Sequence, residues 1–181
     1  MDVEADEQKL IRASQNGDAD AFEALVRGNQ RMIHSLTFRM SGSWSEAEDL
    51  AQEAFLQAWR QLDSFRSEAR FSSWVYRIAV NQCLNWKKRA VRAEKAHEEL
   101  GKTELNAPVE NDAAQQVRES LLGLPPKQRA AIILTTYEGL NHAEAARMMG
   151  CSETTVSWYL FMARARLKTV LSHLNRSKEG K

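Results

Sequence analysis

Apolar residues recur at three- and four-residue intervals along nearly all of this 181-residue chain, and no run of β-branched residues alternates with polar ones over a strand's length. A period near 3.6 gathers such residues on one side of a helix, where they must be buried against another helix. Only three prolines interrupt the pattern. The expected fold is therefore all-α, with short connections of the kind that make bundles. One segment breaks the period. Around "GKTELNAPVENDA" glycine, proline and asparagine appear without a helical apolar repeat, which marks a solvated linker. A chain of this length can form one medium domain or two small ones. The break favours two, residues 1–92 and 112–176, joined by a flexible acidic linker at 93–111 and followed by a tail at 177–181.

The formal net charge is only +1, but its sign is segregated. Arg66 to Arg92 holds seven basic residues against the single acid Glu68. Glu94 to Glu119 reverses this with seven acids and three bases, and from Leu122 onward nine bases face four acids. Two basic blocks around an acidic tether point to two nucleic-acid-facing domains, with merely solvated charged faces as the blander alternative.

Several classes drop out. Cys83 and Cys151 are isolated, which suits two ordinary reduced thiols rather than a disulfide framework. His34, His97, His142 and His173 have no partners at metal-ligand spacing, so neither metal nor cofactor is expected. No nucleophile–base pair or glycine-rich phosphate loop suggests an enzyme. No apolar run is long enough to cross a bilayer, and the acidic start "MDVEADEQKL" is unlike a secretory signal. The expected location is the cytoplasm.

The helices of the first domain can be placed from their caps and faces. One runs from about Glu7 to Asn16, and a second starts near Asp18 or Asp20 and stops at Gly42, with Phe22, Leu25, Val26, Met32, Ile33 and Leu36 inward. In the third, "SEAE" suggests a capping box of Ser45 with Glu48. Its inward face is Ala47, Leu50, Ala51, Ala54, Ala58 and Leu62. The opposite face carries Asp49, Glu53, Leu56 and Arg60, either a solvated surface or a docking one. A fourth helix, capped by Ser72 or Ser73, turns Val75, Ile78, Ala79 and Trp86 inward and leaves Arg77, Asn81, Asn85 and Lys88 outside. Asparagine amides pair with base edges and cations neutralise phosphate, so this stripe suits nucleic acid. Phe65, Phe71 and Trp74 bracket the preceding loop, either to stack unpaired bases or to anchor the loop in the core.

The second domain carries a more specific pattern. "LPPKQR" starts a helix at proline and Gly139 ends it. Asn141 caps a short helix with Glu144, Gly150 permits a tight turn, and Ser152 caps the next helix, whose inward residues are Val156, Leu160, Ala163 and Leu167. This is a helix-turn-helix, whose second helix enters the major groove with its N-terminal half.

The runs "AEDLAQEAFLQAWRQLDSFRSEARFSSWVYRIAVNQCLNWKKR" and "LPPKQRAAIILTTYEGLNHAEAARMMGCSETTVSWYLFMARARLK" together resemble the extracytoplasmic-function sigma factors of the sigma-70 family. The resemblance covers nearly the whole chain outside residues 93 to 111. It implies a transcription initiation subunit, monomeric when free, that joins core RNA polymerase, opens promoter DNA at the minus-10 element with its region 2 bundle and reads the minus-35 element with its region 4 helix-turn-helix. An anti-sigma factor is the implied inhibitory partner. The polymerase contact falls on Asp49, Gln52, Glu53 and Leu56. Minus-10 contacts fall on Phe65, Arg66, Phe71, Trp74, Arg77, Asn81, Asn85 and Lys88. Minus-35 contacts fall on Ser152, Glu153, Thr154, Ser157, Trp158, Phe161 and Arg164. A stand-alone helix-turn-helix regulator would explain the second domain but not the acidic stripe of the first. The chain departs from the family where "TVSWYLFMARAR" replaces a more basic and polar run. Trp158 and Phe161, expected outward there, suit either thymine methyls or a protein partner.

Overall fold

The computed structural model describes residues 3–66, 70–96 and 112–179, with side chains over 6–66, 70–86 and 115–169. Its elements are α1 (Val3–Gln15), α2 (Ala19–Ser41), α3 (Trp44–Gln61), a 3₁₀ turn (Leu62–Ser64), α4 (Phe71–Ala96), α5 (Asp112–Leu122), α6 (Pro126–Ile132), a π turn (Ile133–Tyr137), α7 (His142–Met149) and α8 (Glu153–Glu179). Every regular element among the described residues is helical, as the apolar spacing requires. α4 runs past the boundary expected at residue 92 and α8 past that expected at 176. Of the expected linker, residues 97–111 lie outside the described ones.

Local chemistry sets most of the helix ends. Asp18 caps α2 by accepting from the Ala21 N–H at 3.0 Å. Gly42 ends it at φ +81°, donating its N–H to Phe38 O. The next residue is already extended, so the cap of α3 is Ser43, whose Oγ accepts from the Glu46 N–H at 3.4 Å. The expected Ser45 box is thereby displaced, because Ser45 lies inside the first turn. α4 also departs from expectation. It begins at Phe71, ahead of Ser72 and Ser73, and the Phe71 N–H donates to Glu7 Oε1 of α1 at 3.2 Å. A carboxylate from a distant helix occupies the place of a local hydroxyl, where the positive end of the helix dipole favours it.

α2, α3 and α4 pack around Ile33, Leu36, Leu50, Ala54, Val75 and Ala79, with Ile11 of α1 added at one end. The alanine row of α3, Ala47, Ala51, Ala54 and Ala58, is buried and lets its backbone approach its neighbours closely. Thr37, wholly buried on α2, donates to Ala47 O at 2.8 Å and ties α2 to the start of α3. Across the chain, α5 to α8 enclose Ile133, Leu134, Ala145, Val156, Leu160 and Ala163. Asn141 and Glu144 form a reciprocal capping box at 2.9 Å each way, and Gly150 turns the chain at φ +62°.

Sequence spacing gave no sign of how closely the two halves pack. One continuous apolar core runs through both. At the junction a Cβ on Gly42 would lie 2.5 Å from Leu122 Cδ1, and the left-handed φ there strains any other residue. Arg129 of α6 is buried and donates to Met40 O of α2, to Leu122 O, to Leu121 O at 2.9 Å and to Leu124 O at 3.1 Å. Arg39 pairs with Glu138 at 3.5 Å and lies 4.7 Å above the Tyr137 ring. Tyr76, buried in α4, has its ionisation pushed well up by burial first and the negative charge of Glu138 second.

Candidate functional site

Three surfaces carry the expected functional residues. The first is the outward side of α3. The burial of Ala47, Leu50, Ala54 and Ala58 leaves Asp49, Gln52 and Leu56 exposed and Glu53 half-exposed. Leu56 is 50 % exposed, a large fraction for a leucine, and Glu53 is linked to Arg60 at 3.8 Å. Beside this ridge, α2 and α3 border a groove of about 1130 Å³. Trp44 and Trp59, both exposed, stand at its ends. Trp44 packs 4.6 Å from the His34 ring and 5.4 Å from Phe38, and Trp59 packs 4.8 Å from Phe22. The two tryptophans went unassigned in the sequence. Yet Trp44, Glu48, Gln52, Leu56 and Trp59 follow spacings of four, four, four and three, which puts them on one helix face. The ridge adjoins a largely apolar groove whose α2 wall also carries Arg27 and Arg31, a surface suited to a partner helix with apolar side chains.

The second surface is the loop at 65–70 with the start of α4. Helix α1 holds both of its ends. Gln15 Nε2 donates to Leu62 O and Phe65 O, each at 3.0 Å, while Glu7 accepts from Phe71. Phe71 is 0 % exposed and Phe65 is buried, so both anchor the loop in the core rather than offering a face to a base. Their rings meet edge-on at 6.2 Å. Trp74, 4.9 Å from Phe65, is half-buried. Arg66, Arg77, Asn81 and Asn85 are exposed, the last three in a line along α4. The side chain of Lys88 lies outside the described residues, as do residues 67–69 of the loop. α7 sits over this surface. Leu140, Arg147 and Met148 join Arg66, Trp74 and Arg77 around a cavity of about 430 Å³.

The third surface is the helix-turn-helix of α7 and α8. Ser152 Oγ accepts from the Thr155 N–H at 3.2 Å and caps α8. Glu153 and Thr154 are exposed beside it, as is Arg164 two to three turns on. Ser157 differs from expectation. It is half-buried, and its Oγ lies 3.0 Å from His142 Nδ1, joining α8 to α7 instead of standing free. Trp158 and Phe161 do point outward, at 55 % and 70 % exposure. Trp158 leans on Tyr159, ring centroids 5.4 Å apart.

Cys83 is buried in α4, and burial pushes its thiol up to about 12. Cys151, part-exposed at the turn before α8, is raised as well, by burial, with Lys127 opposing. Among the described residues no group of three or more His, Cys, Asp or Glu could hold a metal, and no helix is long and apolar enough to cross a membrane.

Comparison with known proteins agrees with the geometry. Residues 25–93 match the family described as Sigma-70 region 2, and residues 114–167 match Sigma-70, region 4. The chain is 38 % identical over 177 residues to the ECF RNA polymerase sigma factor SigM of Mycobacterium tuberculosis, covering 95 % of this chain and 88 % of that one. It is 33 % identical over 192 aligned positions to the ECF RNA polymerase sigma-E factor of Escherichia coli, covering 97 % and 100 %. Among solved structures it is similar to the sigma factor RpoE in complex with the anti-sigma factor NepR from Bartonella quintana. There the TM-score is 0.69 and the identity 25 %, over 83 % of this chain and 96 % of that one. CnrH in complex with the cytosolic domain of CnrY gives a TM-score of 0.66 at 25 % identity, over 93 % and 98 %. An exposed acidic ridge, a polar stripe behind a two-ended loop clamp and a helix-turn-helix, in that chain order and matched by both regions, place this chain in the extracytoplasmic-function class of sigma-70 RNA polymerase sigma factors.

Proposed function

We propose that the chain directs core RNA polymerase to its promoters from within the cytoplasm, using the three surfaces in turn and supplying no chemistry of its own. The single observation that carries this is the free ridge of Asp49, Gln52 and Leu56 on a helix whose other face is fully buried. A stand-alone helix-turn-helix regulator has no use for that ridge. The ridge and its groove dock on polymerase. Arg66, Trp74, Arg77, Asn81 and Asn85 then meet the minus-10 element, where opened bases stack on Trp74 and cations neutralise phosphate. Phe65 and Phe71 hold the loop that presents them.

The helix-turn-helix serves the minus-35 duplex through Ser152, Glu153, Thr154, Trp158, Phe161 and Arg164. Residues 1–92 and 112–176 serve as the two working units. α7 faces the half-buried Trp74 across the cavity of about 430 Å³, so full access to that ring is gained when the units part, while Arg77 is already exposed. Residues 97–111 can span up to about 50 Å when fully extended, which gives the second unit room to move. Two of its structural relatives were solved with bound partners, RpoE with the anti-sigma factor NepR and CnrH with CnrY. We assign this chain an anti-sigma partner by that likeness.

The test is gel filtration with core polymerase followed by run-off transcription. The chain is expected to co-elute with core and to yield defined transcripts. Leu56→Asp with Asp49→Arg is expected to lose co-elution by tenfold or more, about 1.4 kcal/mol or above, while keeping its helical spectrum. Unchanged co-elution by the double variant would remove the ridge from the reading.

A further inference from the structure

The outward face of α8 remains unexplained by the family pattern. Two large aromatic rings, Trp158 and Phe161, stand in solvent on the helix that a helix-turn-helix places in the major groove. Exposed aromatic surface of this kind is unfavourable in water and marks a contact. Its neighbours indicate which contact. Among residues 153–169 of α8, whose side chains are described, the exposed cations are Arg164, Arg166 and Lys168, and the acid is Glu153 in the first turn. This arrangement, apolar rings beside cations, complements a phosphate-lined groove with methyl groups on its floor. Spacing fits too. Residues three apart on a helix lie side by side on one face, so the two rings form a single patch. The Ser157–His142 bond at 3.0 Å and the buried Val156 and Leu160 lock the helix beneath, so the rings are presented by a rigid element.

We propose that Trp158 and Phe161 read thymine C5-methyl groups in the major groove of the minus-35 duplex and so set this chain's promoter preference. This rests on the sigma-factor reading above. In the major groove, thymine alone among the bases offers a methyl group, and aromatic and small apolar side chains recognise it by contact. Where a cation would hydrogen-bond guanine or pair with phosphate, these rings recognise shape and apolarity. The chain should therefore favour elements that carry thymines in the stretch contacted by α8.

The test uses the holoenzyme, this chain with core polymerase. Minus-35 elements are first selected by run-off transcription from a randomised promoter library. Each thymine in the selected element is then replaced by uracil, which removes the methyl and leaves base pairing intact. The wild-type holoenzyme is expected to lose about fourfold in promoter affinity per contacted methyl, the effect of withdrawing one buried carbon group. Trp158→Ala and Phe161→Ala are each expected to lose sensitivity at one position. Trp158→Arg keeps a long, helix-compatible side chain and must lose it as well, so a folding defect cannot mimic the result. Selected elements without a thymine preference, or equal uracil responses in wild type and variants, overturn the inference and assign the patch to a protein partner. Absence of any transcript with core polymerase overturns the sigma-factor reading beneath it, a distinguishable failure.

Discussion

Replacing Arg129 by methionine is expected to destabilise the protein by about 3 kcal/mol, and the figure follows from where the guanidinium sits. It is 2 % exposed and donates to carbonyls of Leu121, Leu122, Leu124 and Met40. Met40 lies in the last turn of α2, and Leu121 and Leu122 in the last turn of α5. Final-turn carbonyls have no partner within their helix and carry the negative end of its dipole, so one cation serves two helix ends. Leu121 O keeps a bond from the Leu124 N–H at 3.0 Å. The other three carbonyls depend on the guanidinium among the described residues. At about 2 kcal/mol for each buried acceptor stranded, the loss is about 6 kcal/mol. Against this, burial disfavours the charge, lowering its pKa from 12.5 to about 10. Removing the charge therefore returns about 3 kcal/mol, leaving a net cost near 3. That is a large part of the 5–15 kcal/mol typical of a folded domain. Urea unfolding followed by circular dichroism should show the midpoint fall by about 1–2 M. Arg129→Lys should fall partway, since one ammonium cannot span carbonyls of both helices. A methionine variant unfolding within about 0.3 M of wild type would refute the idea that this cation holds the junction.

Gly42→Ala should also destabilise. It forces a left-handed backbone, costing about 1–2 kcal/mol, and drives a methyl into Leu122, costing about 1–3 more. Thermal melts should show a drop of at least 4 °C or so. Gly28→Ala, in open space within α2, is the control and should raise the melting temperature slightly. Cys83 predicts a pH dependence of definite sign. Its folded pKa is raised to about 12 from 9.0, so above pH 9 the unfolded chain loses a proton that the folded chain retains. Stability should fall as pH rises from about 9 towards 12, and Cys83→Ala should make that fall shallower in urea titrations, with the raised Tyr76 still adding its own loss above its ordinary 10.0. In the native state a thiol reagent should modify Cys151 while Cys83 reacts only after unfolding.

Helix periods, the glycine stops at Gly42 and Gly150, the Asn141–Glu144 box and the Ser152 cap were all legible, because each depends on residues within four positions of one another. The α3 ridge was legible for the same reason, since burying four alanines on one side of a helix necessarily turns Asp49 and Leu56 out. Apart from the α3 cap, displaced locally from Ser45 to Ser43, the errors lie where a distant residue supplied what a local one was expected to. Glu7 took the capping place given to Ser72 or Ser73. His142 drew Ser157 in from the surface. For Phe71, where stacking and anchoring stood as alternatives, the packing decides for the anchor, since rings from α2 and its own loop enclose it fully.

The amino-acid order by itself determined that this chain is helical, where its helices turn and which side of each is apolar, since those depend on a repeat of 3.6 residues and on short-range hydrogen bonds. Tertiary structure alone decided that the two halves share one core, that Arg129 joins the ends of α2 and α5, and that α7 faces Trp74 and Arg77 across one cavity. These depend on pairs such as Arg129 with Met40, 89 positions apart, and no local period carries information about a partner that far along the chain.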